Sequence, residues 1–224
     1  MPKILLFIAF STFYITYVNS HGMLMDPVNR ASRWRFNESA PKNYDDAGLW
    51  CGGFQIQHQV HDGKCGMCGD SYGAATPRKH ELGGVFGEGV IVKKYEADQV
   101  VTVTVKVTVN HLGHFYFDLC NLDESGVETE ECFTELLTAD GHRNWVVPSP
   151  LAKDYEVALK LPKESCRHCV MRWTYVAGNN WGICEDGTGA LGCGPQEHFR
   201  TCSDIEIVEK WDDEIPESSE TNEI

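Results

Sequence analysis

The sequence predicts an all-β fold, an antiparallel β-sandwich with long disulfide-stapled loops. Three observations carry that expectation. Apolar and polar residues alternate at period two in several short stretches rich in β-branched and aromatic side chains. Ten cysteines, an even number, follow an apolar leader. Between the alternating stretches run long segments rich in Gly, Asn, Asp and Pro, which are costly to order unless covalent links shorten them.

In chain order, the leader comes first. Lys3 supplies a short positive start, and Ile4 to Val18 is mostly apolar, with Leu5, Leu6, Phe7, Ile8, Phe10, Phe13 and Ile15. The run is too short and too rich in hydroxyls for a membrane span. Val18, Asn19 and Ser20 place a small residue at the end and an aliphatic one two before it. This predicts a secretory signal peptide over residues 1–20, cleaved before His21, and hence a secreted, extracellular protein. Of 224 residues, 204 then remain, enough for one domain with its own core, expected over 21–210. The stretch 211–224 crowds Asp212, Asp213, Glu214, Glu217, Glu220 and Glu223 around Pro216 and two serines, and is expected to be an acidic, disordered tail.

Within the domain the clearest strand is Val100 to Asn110. Val101, Val103, Val105, Val107 and Val109 alternate there with Thr102, Thr104, Lys106 and Thr108. Alternation resumes with Phe115, Phe117 and Leu119 against Tyr116 and Asp118. Tyr155 to Leu161, the set Cys169, Met171, Trp173 and Tyr175, and Phe199 to Val208 supply three further strands. His21 to Val85 shows little periodicity and reads as irregular, and Gly178 to Pro195 as a Gly/Cys-rich loop. The sandwich class expected is immunoglobulin- or fibronectin III-like.

The cysteines are Cys51, Cys65, Cys68, Cys120, Cys132, Cys166, Cys169, Cys184, Cys193 and Cys202, and behind a signal peptide they read as five disulfides of unknown pairing. Two Cys-x-x-Cys pairs, Cys65/Cys68 and Cys166/Cys169, have zinc-like spacing, but an oxidising route favours bridges. The net charge of -14 excludes non-specific binding to nucleic acid or anionic membrane and leaves neutral partners such as polysaccharides. No other apolar run is long enough to span a bilayer.

Cleavage before His21 gives that residue a free α-amino group beside its imidazole, and together these chelate one metal ion. No internal histidine has that option. His111 continues the buried valine face by parity, yet it is polar, so its imidazole needs a partner: a metal, or a backbone carbonyl in the core. Glu197 and Phe199 are two apart and share a strand face. A ring there would block one axial side of a metal and a carboxylate would orient a bound oxygen species; alternatively Phe199 is simply core and Glu197 exposed. His114 falls on the opposite face by parity and is expected not to ligate. His58, His61, His80, His142 and His168 lie in polar sequence and are expected to be solvent-exposed.

These residues carry a resemblance. The chain resembles the insect-type lytic polysaccharide monooxygenases, auxiliary activity family fifteen. The matching stretches are His-Gly-Met-Leu-Met-Asp-Pro from His21, Ala-Gly-Leu-Trp-Cys-Gly-Gly ending at Gly53, and Asn-His-Leu-Gly-His-Phe from Asn110. The longest runs from Arg172-Trp-Thr-Tyr through Gly178-Asn-Asn-Trp-Gly to Glu197-His-Phe-Arg-Thr-Cys. The resemblance implies one copper ion, bound by the amino and ring nitrogens of His21 and a ring nitrogen of His111 in a T-shaped brace, which suits Cu(II). Phe199 stands where the family has an axial Tyr or Phe and shields that position without ligating. Glu197 stands where relatives carry a polar residue beside the metal. Val109 stands two before His111, where many relatives carry a smaller residue such as alanine, and narrows the space for oxygen. The implied activity needs an external reductant and H2O2 or O2, and oxidises C1 or C4 of a sugar ring so that the glycosidic link breaks. The implied partner is insoluble polysaccharide, chitin ahead of cellulose, met by a monomer.

Tyr44 has two readings, stacking on a sugar face or packing within its loop. Asn37-Glu38-Ser39 is an N-glycosylation sequon. Two rival functions use the same residues differently: a non-catalytic copper-handling protein, and a polysaccharide binder without metal. A glycoside hydrolase would need a paired acid and base, and no such pair motif is visible.

Overall fold

The structure is a computed structural model that describes residues 21–210. The expected signal peptide and acidic tail lie outside the described residues. In chain order the strands are β1 (His21–Asp26), β2 (Lys93–Glu96), β3 (Val100–Val109), β4 (His114–Asn121), β5 (Thr134–Leu136) and β6 (Trp145–Val146). Then come β7 (Asp154–Lys160), β8 (Cys166–Val176), β9 (Trp181–Ile183), β10 (Gly189–Leu191) and β11 (His198–Val208). One sheet has the order β1-β3-β7; the other runs β2-β11-β8-β4-β5, with β6 also on β4. β9 and β10 pair only with each other. The sandwich is antiparallel as expected, except that β2 lies parallel to β11 along one edge.

The valine alternation does what period two dictates. Val101, Val103, Val105 and Val107 are buried and meet Phe115, Phe117, Met171, Trp173, Tyr175, Phe199, Ile205 and Ile207 of the facing sheet in one core. Each such side chain contributes about 1.5–3 kcal/mol on burial. β8 departs from the expected one-sided pattern. Val170, Arg172 and Thr174 are as buried as Met171, Trp173 and Tyr175, because long loops cover its outer face.

Those loops are held by bridges and by buried charge. The disulfides are Cys51–Cys65, Cys68–Cys202, Cys120–Cys132, Cys166–Cys169 and Cys184–Cys193, and no cysteine is free. Cys65 and Cys68 thus pair with other cysteines, not with one another. Cys68–Cys202 closes the longest span, 134 residues, and pins the first long loop to β11. Beside it, Arg30 forks onto both oxygens of Asp204 at 2.8 and 2.7 Å and onto Glu128 at 3.1 and 2.7 Å. All three side chains are almost fully buried.

Two regions read as irregular contain strands. β1 was hidden because a six-residue segment broken by Gly22 and closed by Asp26-Pro27 shows no sustained alternation. The β9–β10 hairpin was hidden because its strands are three residues each, too short to show a period, and each contains a glycine. The outer histidines also depart from the exposure expected of them. His142 is exposed, but His80 is buried, 2.9 Å from Asp70 and stacked on Phe86. His168 bonds Asp204 at 2.8 Å. Polar sequence placed both in loops, but the loop around His80 is packed and buries it, and His168 lies within β8 itself.

Candidate metal centre

The centre is built where β1 begins and β3 ends. β1 lies antiparallel to β3, and His21 is the register partner of Val109. His111 follows two residues beyond. Gly22 allows this close approach: a Cβ there would meet Trp173 at 3.0 Å and the Lys106 carbonyl at 3.3 Å.

The turn after β3 is fixed by its own sequence. Asn110 Oδ1 accepts from Leu112 N–H at 2.8 Å, and its Nδ2 donates to Leu151 O and Tyr155 Oη, both at 2.8 Å. Leu112 and Gly113 both take positive φ, 57° and 81°. A Cβ on Gly113 would lie 2.0 Å from Val176 O, so only glycine fits. His111, just before this bend, is held at both backbone groups. Its N–H donates to the Tyr175 hydroxyl at 3.0 Å, and its carbonyl accepts from Gly178 N–H at 3.1 Å.

β11 brings the third component. Phe199 is fully buried, its ring 6.0 Å from that of His21 and 6.0 Å from that of Tyr175. Phe115, Tyr175 and Phe199 lie in one row across β4, β8 and β11 and face the core. Glu197, just before β11, is also buried, so it is not the exposed carboxylate of the alternative reading; its carbonyl accepts from Ala177 N–H at 3.0 Å. His21, His111 and Val109 are half-buried.

His114 and His198 form the next row, opposite Val176, on the outer face. Burial, with the charge of Arg143, holds the His114 imidazole below its ordinary range. His198 is pushed down to about 3 by burial and by Arg200, His58 and His114. Its Nδ1 lies 2.9 Å from Gln57 Nε2, which donates to it. His114 therefore stands apart from the His21 side, as parity requires.

Among the described residues no group of three or more His, Cys, Asp or Glu side chains converges on one point. A brace of two imidazoles and an N-terminal amine needs no third side chain. An all-nitrogen donor set with a non-ligating aromatic ring beside it fits copper and not a hard cation such as calcium. The other predicted residues lie elsewhere. Tyr44 is 78% exposed, with its ring edge-on to Trp34 at 5.3 Å. Asn37 is exposed after the 3₁₀ helix Arg30–Arg35, and its Oδ1 accepts from Ser39 N–H at 3.0 Å.

Residues 21–205 match the family model described as lytic polysaccharide mono-oxygenase, cellulose-degrading. A lytic polysaccharide monooxygenase AA15 from Thermobia domestica, solved in the Cu(I) state, is 42% identical with a TM-score of 0.79, over 84% of this chain and 98% of that one. The chain belongs to the insect-type AA15 lytic polysaccharide monooxygenases. It is a copper-dependent monooxygenase that cleaves polysaccharide oxidatively. More distant similarity extends to a cellulose-active monooxygenase in complex with copper, 14% identical, TM-score 0.47, over 85% of this chain and 100% of that one. An AA10 monooxygenase from Streptomyces lividans is 12% identical, TM-score 0.49, over 84% and 100%. No curated protein sequence matches the chain.

One feature of this monooxygenase escaped the sequence reading. The β9–β10 hairpin leaves the sheet beside His111 and returns at Glu197. It carries Trp181, Ile183 and Leu191, 65%, 59% and 70% exposed, on one face. Trp181 lies across Gly189, where a Cβ would meet the indole at 2.3 Å. The only sequence signal was a tryptophan between Gly178 and Gly182, just ahead of the short Cys184–Cys193 span.

Proposed function

We propose that the mature protein begins at His21, binds one copper ion through the amino and ring nitrogens of His21 and a ring nitrogen of His111, and oxidises crystalline chitin. The observation that carries this is the placement of His21: opposite Val109, two residues from His111, with its ring 6.0 Å from Phe199. Copper, once reduced by an external donor, supplies the one-electron chemistry with H2O2 or O2 that hydroxylates C1 or C4 of a sugar ring. The protein's part is to hold and shield. β1 and the Asn110–Gly113 turn hold the two histidines. Phe199 excludes a ligand from its side, Glu197 orients polar groups beside the metal, and Val109 limits the space there. Trp181 and Tyr44 present open aromatic faces to sugar rings. The protein acts as a secreted monomer, with no membrane or nucleic-acid partner; Asn37 carries an N-glycan. Among the described residues no helix is long and apolar enough to cross a membrane. Cellulose is the second candidate substrate, favoured by the description of the matching family model.

The test starts with mass spectrometry of the mature N-terminus and copper titration. A chain starting anywhere but His21 removes the brace. Copper-loaded protein with ascorbate is then incubated with chitin and, separately, cellulose. Oxidised chito-oligosaccharides support the proposal, oxidised cello-oligosaccharides alone replace the substrate, and tight copper binding without products assigns copper handling instead.

A further inference from the structure

The connection from β8 to β11 starts and ends at the metal centre, through Gly178 N–H on the His111 carbonyl and Ala177 N–H on the Glu197 carbonyl. Between these anchors stands the β9–β10 hairpin with its exposed Trp181. A lone two-stranded hairpin is at best marginally stable in water. The Cys184–Cys193 bridge closes it on itself, but a bridge within the hairpin does not fix it to the sandwich.

Gln196 makes that link. It is 5% exposed and sits next to Glu197, at the foot of β11. Its Nε2 donates to Asn180 O at 3.0 Å and Cys193 O at 2.7 Å, with a weaker approach to Gly194 O at 3.4 Å. Its Oε1 accepts from Asn180 N–H at 3.0 Å. Every one of these partners is a backbone atom on one of the two legs of the hairpin. The Gln196 carbonyl in turn accepts from His58 Nε2 at 2.7 Å, from the π-helical turn Ile56–Val60 packed outside β11. One side chain therefore joins both legs to each other and to the strand that carries Glu197 and Phe199.

We infer that Gln196 is a positioning residue that locks the hairpin to the metal centre, and so sets where along a polysaccharide chain oxidation falls. This rests on the proposed function, because it takes the Trp181 face as a docking surface for neutral sugar rings beside the copper. A plate held rigid loses less freedom on binding than a mobile one, and a fixed distance from plate to metal selects one sugar carbon over its neighbours.

The test compares wild-type protein with Gln196→Leu, which removes all four amide contacts at similar volume. Amide hydrogen exchange over 181–191, in copper-free and copper-loaded protein, is expected to speed up by about tenfold or more. Binding to insoluble chitin is expected to weaken by roughly fivefold to tenfold. The Cu(II) electron paramagnetic resonance spectrum is expected to stay as in wild type, while the ratio of C1 to C4 products shifts. Should Gln196→Leu fail to fold, Gln196→Glu, which keeps an acceptor for Asn180 N–H and loses the donors, reads the same quantities. Unchanged exchange overturns the lock. Faster exchange with unchanged binding and product ratio overturns the positioning role. If wild-type protein forms no oxidised sugar, the proposed function fails separately, and exchange and binding still decide whether Gln196 orders a polysaccharide-docking hairpin.

Discussion

The Tyr175 hydroxyl accepts the backbone N–H of His111 at 3.0 Å, while the Tyr175 ring packs 6.0 Å from Phe199. One fully buried residue of β8 thus joins the turn that carries His111, a proposed copper ligand, to the ring proposed to shield the metal. Tyr175→Phe keeps the ring and deletes the bond. The loss of about 1 kcal/mol of positioning is expected to weaken copper binding up to about fivefold. Calorimetric titration measures it, and unaltered affinity would mean that the Asn110–Gly113 turn holds His111 unaided.

Val109 is the register partner of His21, and it is half-buried at the end of β3. Trimming it opens space beside the proposed copper site without altering either histidine. Val109→Ala is expected to raise peroxide-driven turnover while leaving copper affinity within about twofold, at a stability cost of about 1 kcal/mol. Steady-state rates on soluble oligosaccharide decide it. A slower variant would show that the valine holds His21 in place instead.

Trp181 offers most of its indole to solvent and is supported flat over Gly189. Covering that face with a sugar ring contributes about 1–2 kcal/mol. Trp181→Ala is therefore expected to weaken binding to insoluble polysaccharide by roughly tenfold, with copper affinity unchanged. A pull-down isotherm that overlays the wild type would remove the hairpin from the docking surface.

What the sequence made legible follows from what each element needs. β3, β4, β7, β8 and β11 bury one face against a second sheet, and period-two alternation records that demand directly. His21 and His111 stood out because their positions are chemically unusual: one at the expected start of the mature chain, one ending an apolar face. β1 left little trace, since its place comes from pairing with β3 and from Gly22 against Trp173, a contact between residues 151 positions apart. Trp181 and Gln196 were illegible for a related reason. A hairpin of three-residue strands has too few positions to show a period, and an amide that bonds only backbone leaves no sequence partner. The buried outer face of β8 was invisible because its cover comes from loops whose own composition is polar.

Arg30 shows how that polar cover is held. Burial pulls its guanidinium towards neutrality, but the hydrogen bonds and charges of Asp204 and Glu128 hold it above its ordinary range. Burial likewise pushes the Asp204 carboxyl up, and Arg30 and His168 more than offset this, leaving it below the usual carboxylate value. Arg30→Met leaves two buried carboxylates without their shared guanidinium, with only His168 beside Asp204. Such a broken pair costs about 3–5 kcal/mol, which for a domain of this size lowers Tm by roughly 10–15 °C. Calorimetry tests it, and a drop of only a degree or two would mean that water reaches the pair.

His198 adds a separate pH dependence. Unfolded, its imidazole takes a proton near pH 6.5; folded, burial and the charge of Arg200 delay protonation to about pH 3. Across that window the unfolded chain binds more protons, so the folded state loses stability as pH falls. The loss through this group starts below about pH 6.5 and is complete near pH 3. His198→Gln keeps a polar side chain beside Gln57 and cannot take up the proton. At pH 7 and above the variant is expected to be less stable than wild type by about 1 kcal/mol, from imperfect replacement of the imidazole. Between pH 6 and 4 that gap is expected to close and then reverse, because only the wild type pays for a neutral buried imidazole in acid. Tm measured against pH for both proteins tests this, and parallel curves would mean that His198 is protonated as readily in the folded protein as in the unfolded chain.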